Sequence, residues 1–182
     1  MRKAAFALVS TAVLAAVFAG ALAQPRGANA GLRLYPDSAV VVKQINLYRN
    51  ATWHWQRVMG MHTTPATQNA LNPSLEYRIW VRDLWRQRAA VMQRLALNPP
   101  HKSEWLCIHR FEGSWSDSGA PYYGGLQMDI TFQRHYGSFL LRRKGTAEHW
   151  TPLEQMWIAE KAYRSGRGFY PWPNTARYCG LI

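Results

Sequence analysis

The chain has 182 residues, with 22 Lys or Arg against 10 Asp or Glu, and 48% of it is hydrophobic and 13% aromatic, including 9 Trp. This aromatic load excludes a disordered chain, which lacks the apolar surface to fold, and 13 Gly and 10 Pro scattered without a period exclude a collagen-like or low-complexity polymer. A chain of this size buries roughly two-thirds of its unfolded surface, so its core needs neither a metal nor a dense disulfide framework.

Arg2 and Lys3 precede an almost wholly apolar run from Ala4 to Ala23, and small-x-small sites follow. Residues 1–30 therefore read as a secretory signal and linker, cleaved after Ala23 or after Ala30. The alternative is an uncleaved anchor, because the run approaches the length that crosses a bilayer. Either way the rest of the chain is expected outside the cytoplasmic membrane, and secreted if the signal is cleaved. Cleavage after Ala30 lowers the formal charge of +12 by three and leaves it strongly positive. A basic surface concentrates polyanions. For an exported protein these are anionic envelope polymers and not nucleic acid, for which no recognition motif is visible. The two cysteines, Cys107 and Cys179, favour a bridge in an oxidising compartment over two buried thiols.

Asn98-Pro99-Pro100 cannot continue a helix and divides the chain at a hinge or linker. Upstream, Val41, Ile45, Tyr48, Thr52, Trp55 and Met59 follow one helical stripe. Tyr77, Trp80, Val81, Leu84, Trp85, Val91, Met92 and Leu95 follow a second, with Ser74 as its cap. The spacing predicts a helical hairpin over 38–97 within an N-terminal part of residues 31–100, with both stripes expected to face a core.

In the second part, residues 101–182, Ser103 is placed to cap a short helix through Trp105, Cys107, Ile108 and Phe111 that stops at a left-handed Gly113. Glu112 is then the last residue of that helix. A turn-rich loop follows, and after it comes Tyr122-Tyr123-Gly124-Gly125-Leu126-Gln127, whose paired aromatics and glycines suggest a wall close to the backbone. Such a wall would lower the dielectric around the Glu112 carboxyl and favour its proton-donating form. Asp129 opens a helix ending at Gly137. Thr151-Pro152-Leu153-Glu154 is a capping box with Pro at the first helical position, opening a helix that runs to Gly166.

A second carboxylate for acid-base work could come from Asp117 or Asp129, although an Asp in a Ser/Gly turn more often forms the turn and Asp129 reads as a cap. Other chemistries lack their signatures. The six His show no zinc-ligand spacing, so no metal and no cofactor are expected. No phosphate-binding glycine loop and no serine nucleophile elbow are present.

Glu112-Gly113-Ser114-Trp115 followed by Tyr122-Tyr123-Gly124-Gly125-Leu126-Gln127 resembles the catalytic segment of the resuscitation-promoting factors, transglycosylase-like peptidoglycan hydrolases of the lysozyme-like superfamily. Tyr136-Gly137, Glu154-Gln155, Trp172-Pro173 and Cys179-Gly180 extend the likeness, which covers about residues 105 to 180. It implies an α+β, mainly α, lysozyme-like catalytic domain with a small β element, here preceded by the helical hairpin. It implies cleavage of the bond between N-acetylmuramic acid and N-acetylglucosamine, with Glu112 as the catalytic acid and Trp115, Tyr123 and Gln127 along the sugar cleft, to which the loop residue Asp117 is added. The cysteines match the family's disulfide, although Cys107 stands five residues before Glu112 and not next to it. Peptidoglycan glycan strands are the expected partner, with a wall endopeptidase as a second. A wall-binding or regulatory module that has lost the reaction is the alternative.

Overall fold

The computed structural model describes residues 36–66 and 74–182. The signal and its cleavage sites lie outside the described residues. Residues 36–182 form one compact unit, mainly helical with a two-stranded antiparallel sheet. Among the described residues no helix is long and apolar enough to cross a membrane.

Helices α1 (Ser38–Val58) and α2 (Leu75–Ala96) form the expected hairpin. Asp37 caps α1 by accepting from the Ala39 amide at 2.9 Å, and Ser74 caps α2. The Arg78 guanidinium donates to the Ser38 hydroxyl and joins the two helix starts. The seam is narrow: Val41 and Ile45 pack with Val81 and Trp85, and Trp53 meets Trp85 edge-on at 5.9 Å. The stripes read from the sequence are wider than this seam. Trp80 is 56% exposed, and Val91 and Leu95 are also exposed. Neither helix is surrounded along its whole length, so its neighbours cover less than the full apolar stripe that helical spacing marks out.

The other end of the hairpin is not a separate body. Val58 and Met59 belong to the core of the second part, with Trp55 and Met92 packed against it. The Asn98–Pro100 corner redirects the chain and is pinned on both sides. Trp157 Nε1 donates to the Ala96 carbonyl at 2.8 Å, and the His101 amide donates to buried Glu160 at 2.8 Å. This anchoring starts α3 (Lys102–Glu112) at His101, which places Ser103 inside the helix and not at its cap; the Ser103 hydroxyl bonds Glu104 instead. Gly113 ends α3 with φ 152° and ψ −170°, a positive-φ conformation that favours glycine as expected, although its ψ is not that of a compact left-handed cap.

The sheet pairs β1 (Tyr122–Tyr123) with β2 (Met128–Asp129), and Asp129 then caps α4 (Ile130–Tyr136) by accepting from the Phe132 amide at 2.8 Å. Gly137 ends α4 as expected, and the chain restarts at once as α5 (Ser138–Lys144), a helix too short to leave a legible stripe. Helix α6 (Pro152–Ala162) begins with the capping box of Thr151 and Glu154 and is buried on nearly every side, which makes it the central element. A π-helical turn (Tyr163–Arg167) and a short α7 (Pro173–Tyr178) complete the chain. Trp105, Trp150 and Trp172 are buried around α6, and each indole N–H has an acceptor: Glu160, the Gly145 carbonyl and the Leu126 carbonyl. A disulfide joins Cys107 on α3 to Cys179 after α7. In the chain-entropy account, a loop of 72 residues contributes about 4 kcal/mol.

Glu154 is the electrostatic anchor of this core. It is 1% exposed, and it receives His54 Nε2 from α1 at 2.9 Å, Lys144 Nζ from α5 at 2.7 Å and its own cap's Thr151 amide at 2.7 Å. Burial by itself would raise its pKa, but the bonds from His54, Lys144 and Thr151 outweigh it and hold the carboxyl at about 2, down from 4.5. A depressed carboxylate pKa contributes stability that is full above pH 4.5 and is lost as pH falls toward 2. At ~1.4 kcal/mol per pH unit the contribution is about 3 kcal/mol. Urea unfolding from pH 6 to pH 2 should show wild type more stable than Glu154→Gln by about that amount at the upper end, with the gap closing at the lower. A gap independent of pH would contradict this assignment.

Candidate active site

The β1–β2 hairpin, the end of α4, the π-helical turn and the segment from Pro171 to Asn174 surround an open groove. One lobe, of about 460 Å³, is lined by Asp129, Phe132, His135, Tyr136 and Arg167. The other, of about 260 Å³, is lined by Glu112, Pro173 and Asn174. Tyr122, Gln127, Pro171 and Trp172 line both, so the two lobes share their walls.

Glu112 is where the sequence reading expects it, at the end of α3, and it is half-buried in the smaller lobe. Its Oε1 accepts from the Thr175 hydroxyl of α7 at 2.7 Å, so the helix that leads into Cys179 also orients the carboxylate. The disulfide holds these two helices together close by.

Gln127 also lies in the groove. It adopts φ 46°, unusual for a residue with a side chain. Its Nε2 donates to Asp117 Oδ2 at 2.8 Å and to the Gly124 carbonyl at 3.0 Å. Asp117 is thereby committed: Oδ1 accepts from the Gly119 amide at 3.0 Å, closing the turn, and Oδ2 holds Gln127. It is a positioning residue for Gln127 and is not among the residues lining the groove.

The aromatic residues differ from expectation. Trp115 stacks on His109 with centroids 3.9 Å apart and packs beneath the hairpin, not along the groove. A Cβ on Gly125 would come within 2.6 Å of both rings, so only glycine fits between them and the strand turn. Tyr123 points to the core, whereas its neighbour Tyr122 is 50% exposed and lines both lobes. Successive strand residues face opposite sides, and a strand of two residues is too short to display that alternation in sequence. Trp172 and Asn174 also line the smaller lobe, and Thr175 meets Glu112; Trp172-Pro173 is visible in the sequence as an irregular aromatic segment, but nothing local assigns it to the groove.

The hairpin is held from below by Gln155, which is fully buried on α6. Its Oε1 accepts from the Gly125 amide at 2.8 Å, and its Nε2 reaches the carbonyls of Trp115 at 2.8 Å, Ala147 at 2.9 Å and Trp150 at 3.1 Å. The molecule is thus a mainly helical, disulfide-bonded protein with a carboxylate in an aromatic groove. No protein-family model, no curated protein and no solved structure matches the chain.

Proposed function

We propose that the protein is an exported peptidoglycan glycosidase of the resuscitation-promoting-factor type, with a lysozyme-like catalytic fold in residues 101–182. The observation that carries this reading is the position of Glu112. Among the described residues it is the one carboxylate lining the smaller lobe, beside groups suited to sugar: Tyr122, Gln127, Trp172 and Asn174. Asp117 is occupied by Gln127 and Gly119, and Asp129 lies in the other lobe as a helix cap. A mechanism with a single acid suits this arrangement. Glu112 protonates the glycosidic oxygen as the bond to the anomeric carbon breaks, and its carboxylate then takes a proton from the incoming nucleophile. Attack by water gives hydrolysis, and attack by the muramoyl 6-hydroxyl gives an anhydro end. The disulfide supports an oxidising, extracytoplasmic setting.

The test is digestion of purified cell wall by wild type and Glu112→Gln, with products read by mass spectrometry. Anhydro-muramoyl ends mark a transglycosylase, and reducing ends mark a hydrolase. Equal activity of the two proteins eliminates the catalytic role, and wall binding without cleavage identifies a binding module instead. The two tyrosines separate by phenotype. Tyr122→Ala should raise KM about tenfold with little change in unfolding midpoint. Tyr123→Ala should cost about 2 kcal/mol of stability in denaturant unfolding, because it removes packing against the core.

A further inference from the structure

Resting on the glycan-cleaving reading of this groove, we propose that its larger lobe is a carboxylate-recognition subsite in which Arg167 binds the acidic side arm of a muramoyl residue.

Arg167 ends the π-helical turn that extends α6, carried between Gly166 at φ 95° and Gly168 at φ 55°. Nothing lies within 4 Å of where a Cβ on either glycine would sit, so the turn projects into open space at the edge of the groove. Arg164, on the same turn, is bound into the structure: its Nη2 donates to the Met59 carbonyl at 2.9 Å and its Nε to that of Glu160 at 3.3 Å. No acceptor among the described residues engages the Arg167 guanidinium. The Tyr136 and Ser165 hydroxyls meet at 3.1 Å and tie the turn that carries Arg167 to the end of α4. His135 contributes a second basic side chain to the lining. The one carboxylate there among the described residues, Asp129, accepts from the Phe132 amide through Oδ1.

Tyr122 and Trp172 suit the neutral faces of sugar rings, and neutral sugars give a guanidinium no counter-charge. A fork of unengaged N–H donors in a sugar groove matches an oxyanion held by paired hydrogen bonds. On the proposed substrate that oxyanion is a carboxylate with two sources: the free lactyl group of a bare muramoyl residue, or the peptide stem attached to it.

Three soluble oligosaccharides of equal length distinguish these sources: an N-acetylglucosamine homopolymer without carboxylates, muramoyl strands with free lactyl groups, and strands bearing stem peptides. They are titrated into protein carrying Glu112→Gln, so that binding is read without turnover. At least one acidic strand should bind about tenfold tighter than the homopolymer, and the tighter of the two identifies the source. Adding Arg167→Gln should bring the ratio of affinities to about one, while Arg167→Lys should retain part of it. Equal binding of all three, a preference that survives Arg167→Gln, or no binding to any of them overturns the subsite. Selective binding of acidic strands that wild type leaves uncut would instead defeat the glycosidase reading and leave the subsite in place.

Discussion

Glu112→Gln should lower wall-cleaving turnover by about 10³-fold, within the range that a positioned general acid contributes. The substitution keeps size and shape. The Thr175 hydroxyl, 2.7 Å from Oε1 in wild type, can still donate to the amide oxygen, so the geometry of α3 and α7 is retained. What is lost is the proton itself, because an amide cannot protonate a departing alkoxide. Thermal unfolding should therefore stay close to wild type while activity falls, and KM should move much less than kcat. A large loss of stability would mean that the carboxylate acts as a structural acceptor for Thr175, and the catalytic assignment would have to be withdrawn.

Gln155→Leu should be the most destabilising single substitution considered, by roughly 5 kcal/mol. Leucine nearly fills the space but satisfies none of the four backbone groups that the amide engages. These are the Gly125 N–H and the carbonyls of Trp115, Ala147 and Trp150. A buried N–H without a partner costs about 1–3 kcal/mol, and carbonyls stripped of their donor add to it. The damage is directional. The loop behind Trp115 and the Gly124-Gly125 turn lose their common attachment to α6, and Tyr122 and Gln127 stand on that turn. Denaturant unfolding measures the loss, and a cost under about 1 kcal/mol would show that Gln155 is not what holds the hairpin.

The same amide group separates what can be read locally from what cannot. Starts and stops of helices were legible wherever the capping groups lie within a few residues of one another: Asp129 with Phe132, Thr151 with Glu154, and the end of α4 at Gly137. Glu112 at the end of α3 followed from such punctuation, and so did the hairpin of α1 and α2. Ser103 lies inside α3 and not at its cap because a distant residue, Glu160, fixes His101 and starts α3 before the serine.

The sequence by itself therefore determined α1, α2, α4 and the start of α6, the position of Glu112 and the two cysteines available to pair, since caps, periodicity and composition act over short stretches of chain. Only the tertiary structure decided that Tyr122 and not Tyr123 faces the groove, that Trp115 lies beneath the hairpin, and that Asp117 serves Gln127. It likewise decided that Trp80, Val91 and Leu95 remain outside the hairpin seam. Each of those outcomes depends on which remote surface arrives to cover a side chain, and helical or strand spacing marks a face without saying what will meet it.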